Sequence, residues 1–195
     1  MKKFFTTRTI AELGLLTALV ILLQLFSNYV TFGTVNITLS LIPIVLGAIL
    51  YGPLGGLFLG LVNGAMVIVA PPTLASFMPY NAWATILLCL VKMGVAGVFS
   101  GLIFMLLKNK NLLFAVILAS IIVPLTNTGL FIGGAFLFFK PLLERWAGEW
   151  GGDVVTFVFI GLVGINFIIE FVVNSVLAPS LYMLYNYLMK KQHRG

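Results

Sequence analysis

The sequence predicts an all-α integral membrane protein, a single bundle of six transmembrane helices formed by residues 1–195. Three observations carry this expectation. Of the 195 residues, 61% are hydrophobic and only 8% are charged, whereas soluble globular domains carry about 25% charged residues. The apolar residues fall in long runs, most of them near the roughly 20 helical residues that a hydrocarbon core about 30 Å thick requires. The basic residues gather at the two ends of the chain and in one short turn. The net charge of +6 therefore reads as topology and not as affinity for nucleic acid.

The spans are expected at residues 9–27, 37–51, 53–70, 81–107, 112–139 and 156–189. The first follows a basic start, "MKKFFTTRTIAELG", that resembles a signal peptide. No small-x-small cleavage site follows its apolar run, so it is read as a retained helix. The second is short and contains Pro43, and Gly52-Pro53 turns it into the third. The fourth and fifth are joined by a tight turn at 108–111, and the fifth contains "VPLTNTGLFIGG", in which Pro124 removes a backbone donor. Gly129, Gly133 and Gly134 there leave room for close helix approach. The sixth carries "NFIIEFVVNS". The connections 28–36, 71–80 and 140–153 are long and rich in aromatic, Pro, Gly or charged residues, and are read as loops on one side of the membrane. No internal repeat is visible.

Orientation follows from the basic residues. Lys2, Lys3, Arg8, Lys108, Lys110, Lys190, Lys191 and Arg194 share the side of the termini, while the other side holds Lys140 and Arg145 with Glu144, Glu149 and Asp153. The positive-inside rule makes both termini cytoplasmic and the three long loops extracytoplasmic, where a lid over an outward-facing pocket is needed.

Several chemistries are excluded by residue type. The single cysteine, Cys89, permits no intramolecular disulfide, and the single histidine, His193, lies in the basic tail. Neither a Cys/His metal site nor an intramembrane histidine base is available, so no metal, catalytic residue or cofactor is expected. No G-x-x-x-x-G-K-[ST] phosphate-binding loop occurs.

The polar residues inside the spans carry the functional reading. A charge at the bilayer centre costs at least about 2.5 to 3.5 kcal/mol on insertion scales, so it faces a partner or a cavity. Asn166, Glu170 and Asn174 are four residues apart and share one helix face. Counted at 1.5 Å per residue from the ends of the spans, Lys92, Asn127 and Glu170 lie roughly 17, 18 and 21 Å deep. Three helices thus bring polar groups to one level, either as interhelical glue and a Lys92–Glu170 ion pair, or as the lining of a solute pocket. Tyr80 and Asn81, beside Phe77 and Trp83, are placed at the lid side of that pocket. Gly14 and Ala18 form a small-x-x-x-small pair that lets another helix approach.

With these residues in view, the layout resembles the substrate-binding S component of the energy-coupling factor (ECF) transporters. The resemblance rests on "AELGLLTALV", "ITLSLIPIVLGAILYGPLGGLFLGLVNG", "KMGVAGVFSGLIFMLLK" and "NSVLAPSLYMLY". The "LIPIVLGAILYGPLGG" block is the most specific, and is similar to that of the riboflavin, folate and pantothenate type. The resemblance implies six helices and a vitamin pocket formed mainly by helices four to six, in the plasma membrane of a prokaryote. It also implies a partner module of one transmembrane coupling protein and two ATPases. The family's Ala-x-x-x-Ala docking motif has Gly14 at its first position and Ala18 at its second, which is still small. The competing expectation is a proton-coupled secondary transporter in which Glu170 carries the proton.

Overall fold

The computed structural model describes residues 7–28, 31–32, 35–36 and 38–192. Lys2, Lys3 and Arg194, used above for orientation, lie outside the described residues. Helices dominate: α1 (Thr7–Ser27), α2 (Leu41–Tyr51), α3 (Pro53–Ile68), α4 (Ala82–Leu107), α5 (Leu112–Phe138), α6 (Lys140–Trp150), the single turn α7 (Val154–Thr156) and α8 (Gly164–Gln192). A minimal antiparallel pair, β1 (Thr31–Phe32) and β2 (Val35–Asn36), follows α1, with Thr31 opposite Asn36. Among the described residues, four helices are long and apolar enough to cross a membrane: Thr9–Ser27, Ala82–Leu107, Leu112–Phe138 and Gly164–Leu188.

Helix α1 presents one buried stripe, Thr9, Leu13, Leu16, Val20, Gln24 and Ser27, at the three- and four-residue spacing of a helix face. Its other faces are open, and they include Gly14 and Ala18. Helix α2 is the opposite case. With 11 residues it is only about 16 Å long, yet every residue except Ile42 is buried. A helix enclosed by protein can be shorter than the hydrocarbon core is thick. Pro43 is tolerated there because it stands in the first turn, whose N–H groups have no partner within the helix. Gly52, at φ 76°, turns the chain directly into Pro53, the first residue of α3.

The tightest seam joins α3 to α4. Gly56, Gly60 and Gly64 recur every fourth residue and face the backbone of α4 at Gly97, Met93 and Cys89. A Cβ on Gly64 would meet the Cys89 carbonyl oxygen at 2.7 Å, and one on Gly101 would meet the Pro53 nitrogen at 2.5 Å. The contact is backbone against backbone along its length. Asn81 and Asn111 cap α4 and α5, accepting from Ala84 N at 3.1 Å and Phe114 N at 3.0 Å. In α5, Gly134 does admit a close neighbour, Leu88, but Gly129 and Gly133 face open space and serve no helix approach.

Three expectations about the elements are corrected. Residues 140–153 are not a simple loop: "KPLLERWAGEW" is the amphipathic helix α6, which turns Leu142, Leu143 and Ala147 inward and ends at Gly151 with φ 85°. Pro141 sits in its first turn, where it costs no hydrogen bond, and Lys140 pairs with Glu144 at 4.0 Å. The sixth span is not one helix from 156 to 189 either. Asp153 caps α7 by accepting from Thr156 N at 3.0 Å, a π-helical turn follows at Phe157–Leu162, and α8 starts only at Gly164. Hydrogen bonds from Thr156 hold the exposed Asp153 carboxyl below its ordinary range. The third span ends at Ile68, and a second π-helical turn at Thr73–Phe77 occupies the connection to α4.

Candidate functional site

The polar residues of α4, α5 and α8 surround one chamber of about 160 Å³. Lys92 reaches it from α4, Asn127 and Thr128 from α5, and Asn166 and Glu170 from α8. Four of the six solute-site residues expected from the sequence therefore meet around one cavity. The remaining two do not line it. Asn81 spends its side chain on the cap of α4, and the Tyr80 ring leans on Phe139 with centroids 5.9 Å apart.

The two charges in the wall are not joined to each other. No ion pair within 4.0 Å forms between Lys92 and Glu170, both of which are described. Lys92 Nζ stands over the Phe131 ring, 4.9 Å from its centroid, in cation–π geometry. Glu170 is buried, and its Oε1 accepts a hydrogen bond from the Thr38 backbone N–H at 3.3 Å. Asn127 and Lys92 are its other polar neighbours. Among the described residues, Asn127 and Asn166 each keep a buried amide oxygen without a hydrogen-bond partner. Polar groups in such positions lose about 1 to 3 kcal/mol each unless something in the cavity satisfies them. Asn174, one turn deeper on the same stripe, donates to the Glu170 carbonyl at 2.8 Å and lies outside the chamber wall.

The wall includes residues that sequence reasoning missed. Gln24 is buried on the inner stripe of α1 and accepts from Ser40 Oγ at 2.8 Å, while Ser27 Oγ accepts from Leu39 N at 3.2 Å. These bonds pin the segment before α2 across the chamber and so bring Thr38 to Glu170. A lone glutamine at a position in phase with Leu13, Leu16 and Val20 was the available signal. Phe131 had none, because an aromatic residue in an apolar helix reads equally as packing.

An aromatic cluster covers one side. The edges of Phe77 meet the rings of Phe131, Phe139 and Trp146 at 5.8, 5.2 and 5.5 Å, with interplanar angles of 79 to 88°. Phe77 comes from the turn before α4 and Trp146 from α6, so two connecting segments and α5 close over the chamber together. Beneath the cluster, a side recess of about 50 Å³ extends past Lys92 toward Thr85, Leu88 and Cys89.

A chain with this bundle and a polar chamber within it is met by one family model, that of the ECF transporter substrate-specific component, which matches residues 8–182. The chain belongs to that family. Comparison with curated proteins and with solved structures gave no match. As a substrate-specific component it is a multi-pass membrane protein that binds substrate for transport, and it is not an enzyme.

Proposed function

We propose that this chain captures a water-soluble vitamin or related micronutrient from outside a prokaryotic cell and releases it inward under the power of separate ATPases. In this reading the chain crosses the plasma membrane six times, α2 and α3 being the short second and third passes, with both termini in the cytoplasm. The solute occupies the chamber lined by Lys92, Asn127, Asn166 and Glu170. The observation that carries the proposal is the pair of asparagines with unpartnered buried amide oxygens beside an unpaired lysine and carboxylate. Asn63 and Asn174 keep an unpartnered amide oxygen away from the chamber as well, so what favours a pocket over structural glue is the gathering of Lys92, Asn127, Asn166 and Glu170 around one cavity.

The exposed Gly14 and Ala18 are the surface on which a transmembrane coupling protein sits, and two ATPases complete the module. Among the described residues, nothing lies within 4 Å of where a Cβ on Gly14 would stand, so its smallness serves no packing there.

The test is to denature the purified protein and identify the released small molecule by mass spectrometry, then to titrate it into variants. Asn127→Ala and Asn166→Ala each remove hydrogen bonds to buried ligand groups, and affinity falls roughly 5- to 150-fold with folded protein retained. No released solute, or unchanged affinity in both variants, refutes the chamber as the site. Uptake that continues without the ATPases would instead support proton coupling through Glu170.

A further inference from the structure

The charges in the chamber wall say what kind of solute it suits, given the reading above that the solute sits there. Among the described residues the wall holds one cation, Lys92, and one carboxylate, Glu170, and no ion pair joins them. Each has partial partners in the protein: a ring face for Lys92, and for Glu170 the Thr38 backbone N–H together with the Asn127 side chain. An ammonium has three donors and a carboxylate about four lone-pair sites, so most of their capacity is unused. A net anion would satisfy Lys92 and set like charge against the ionised Glu170. A net cation would do the reverse. Both outcomes bury an uncompensated charge, which is costly at membrane depth. Phe77 and Phe131 supply ring surface in the same wall, Phe131 beside Lys92.

We propose that the solute is a compact zwitterion that bridges the two side chains, its anionic group on Lys92 and its cationic N–H group on Glu170, with an unsaturated ring against Phe77 and Phe131. The solute completes an interrupted ion pair, so its own two charges and those of the wall neutralise one another. Charge placement, and not net charge, is then what the chamber selects.

Three matched probes test this on the full chain in detergent: benzoate, benzylammonium and 3-(aminomethyl)benzoate, which share one ring and differ in charge. By isothermal titration the zwitterion is expected to bind roughly tenfold or more tightly than either singly charged probe, since each charged hydrogen bond adds to affinity. Lys92→Met is expected to shift preference toward benzylammonium, and Glu170→Gln toward benzoate. If either variant fails to fold, the ranking on the unmodified chain decides alone. A singly charged probe that binds as tightly as the zwitterion overturns the proposal, and so does the absence of binding by all three. Should the protein nonetheless release a small molecule on denaturation, the chamber remains a solute site and only the bridging geometry is lost.

Discussion

Replacing Gly97 by alanine probes the seam that holds Lys92 in place. The new methyl group would be driven into the Gly56 carbonyl of α3, and what surrounds it is backbone on both sides. No rotamer relieves such a clash, so the helices must part by about 1 Å to regain ordinary contact distances. Overpacking of this kind costs about 1 to 3 kcal/mol, and the absence of a yielding side chain places this case toward the upper end. The gain in helix propensity from Gly to Ala, up to about 1 kcal/mol, offsets part of it. A net loss of about 1 to 2 kcal/mol remains. Gly133→Ala is the matched control, because nothing lies within 4 Å of a Cβ there, and it keeps the propensity gain alone. For a chain of this size the two variants should differ in Tm by about 5 to 10 °C. Thermal unfolding in detergent measures this. The Met93 carbonyl faces Gly60 in the same seam, so the parting of α4 also moves its neighbour Lys92 and weakens solute binding. Equal Tm values for the two variants would refute the claim that backbone contact along α3 and α4 limits stability.

Three further outcomes are expected. Single cysteines at Lys108 or Lys110 should resist an impermeant thiol reagent in intact cells, whereas cysteines at Glu144 or Glu149 should react, and reversed labelling would invert the proposed orientation. Gly14→Leu and Ala18→Leu, both on the open face of α1, should leave Tm and solute binding of the isolated chain unchanged while reducing co-purification of a coexpressed coupling protein; full recovery of the complex would remove this face as the docking surface. The Asp153 carboxyl is held low by Thr156, so its cap on α7 is present above the ordinary carboxylate range and is lost as pH falls through the lowered value. Amide exchange at Thr156 should lose protection there, and Asp153→Ala should remove that pH dependence.

The sequence made the site legible because charge is rare in it. Lys92, Asn127 and Glu170 stand out in apolar helices, and counting residues put them at one depth. That count treated the sixth span as unbroken, and the convergence survives the break because Glu170 is tied to Thr38 and faces Asn127 and Lys92. The π-helical turns were not legible, since a shift to i→i+5 bonding leaves no residue signature. Helix α6 was legible in principle: Leu142, Leu143, Trp146 and Ala147 follow helical spacing, but the charges and glycines around them read as loop. The α3 seam was likewise written in Gly56, Gly60 and Gly64. Asn81 misled because a helix cap and a ligand contact draw on the same residue type.

The meeting of Phe77 with three rings has a consequence in time. When the turn at Thr73–Phe77 lifts, the contacts to Phe131, Phe139 and Trp146 break as a set, because one ring makes all of them. Each is worth about 0.5 to 1.5 kcal/mol beyond the area it covers. A few kilocalories are thus concentrated in one side chain, and any displacement of Phe77 forfeits them together. If the proposed solute leaves past this cluster, the cost of parting one phenyl ring from three neighbours sets the pace of its release.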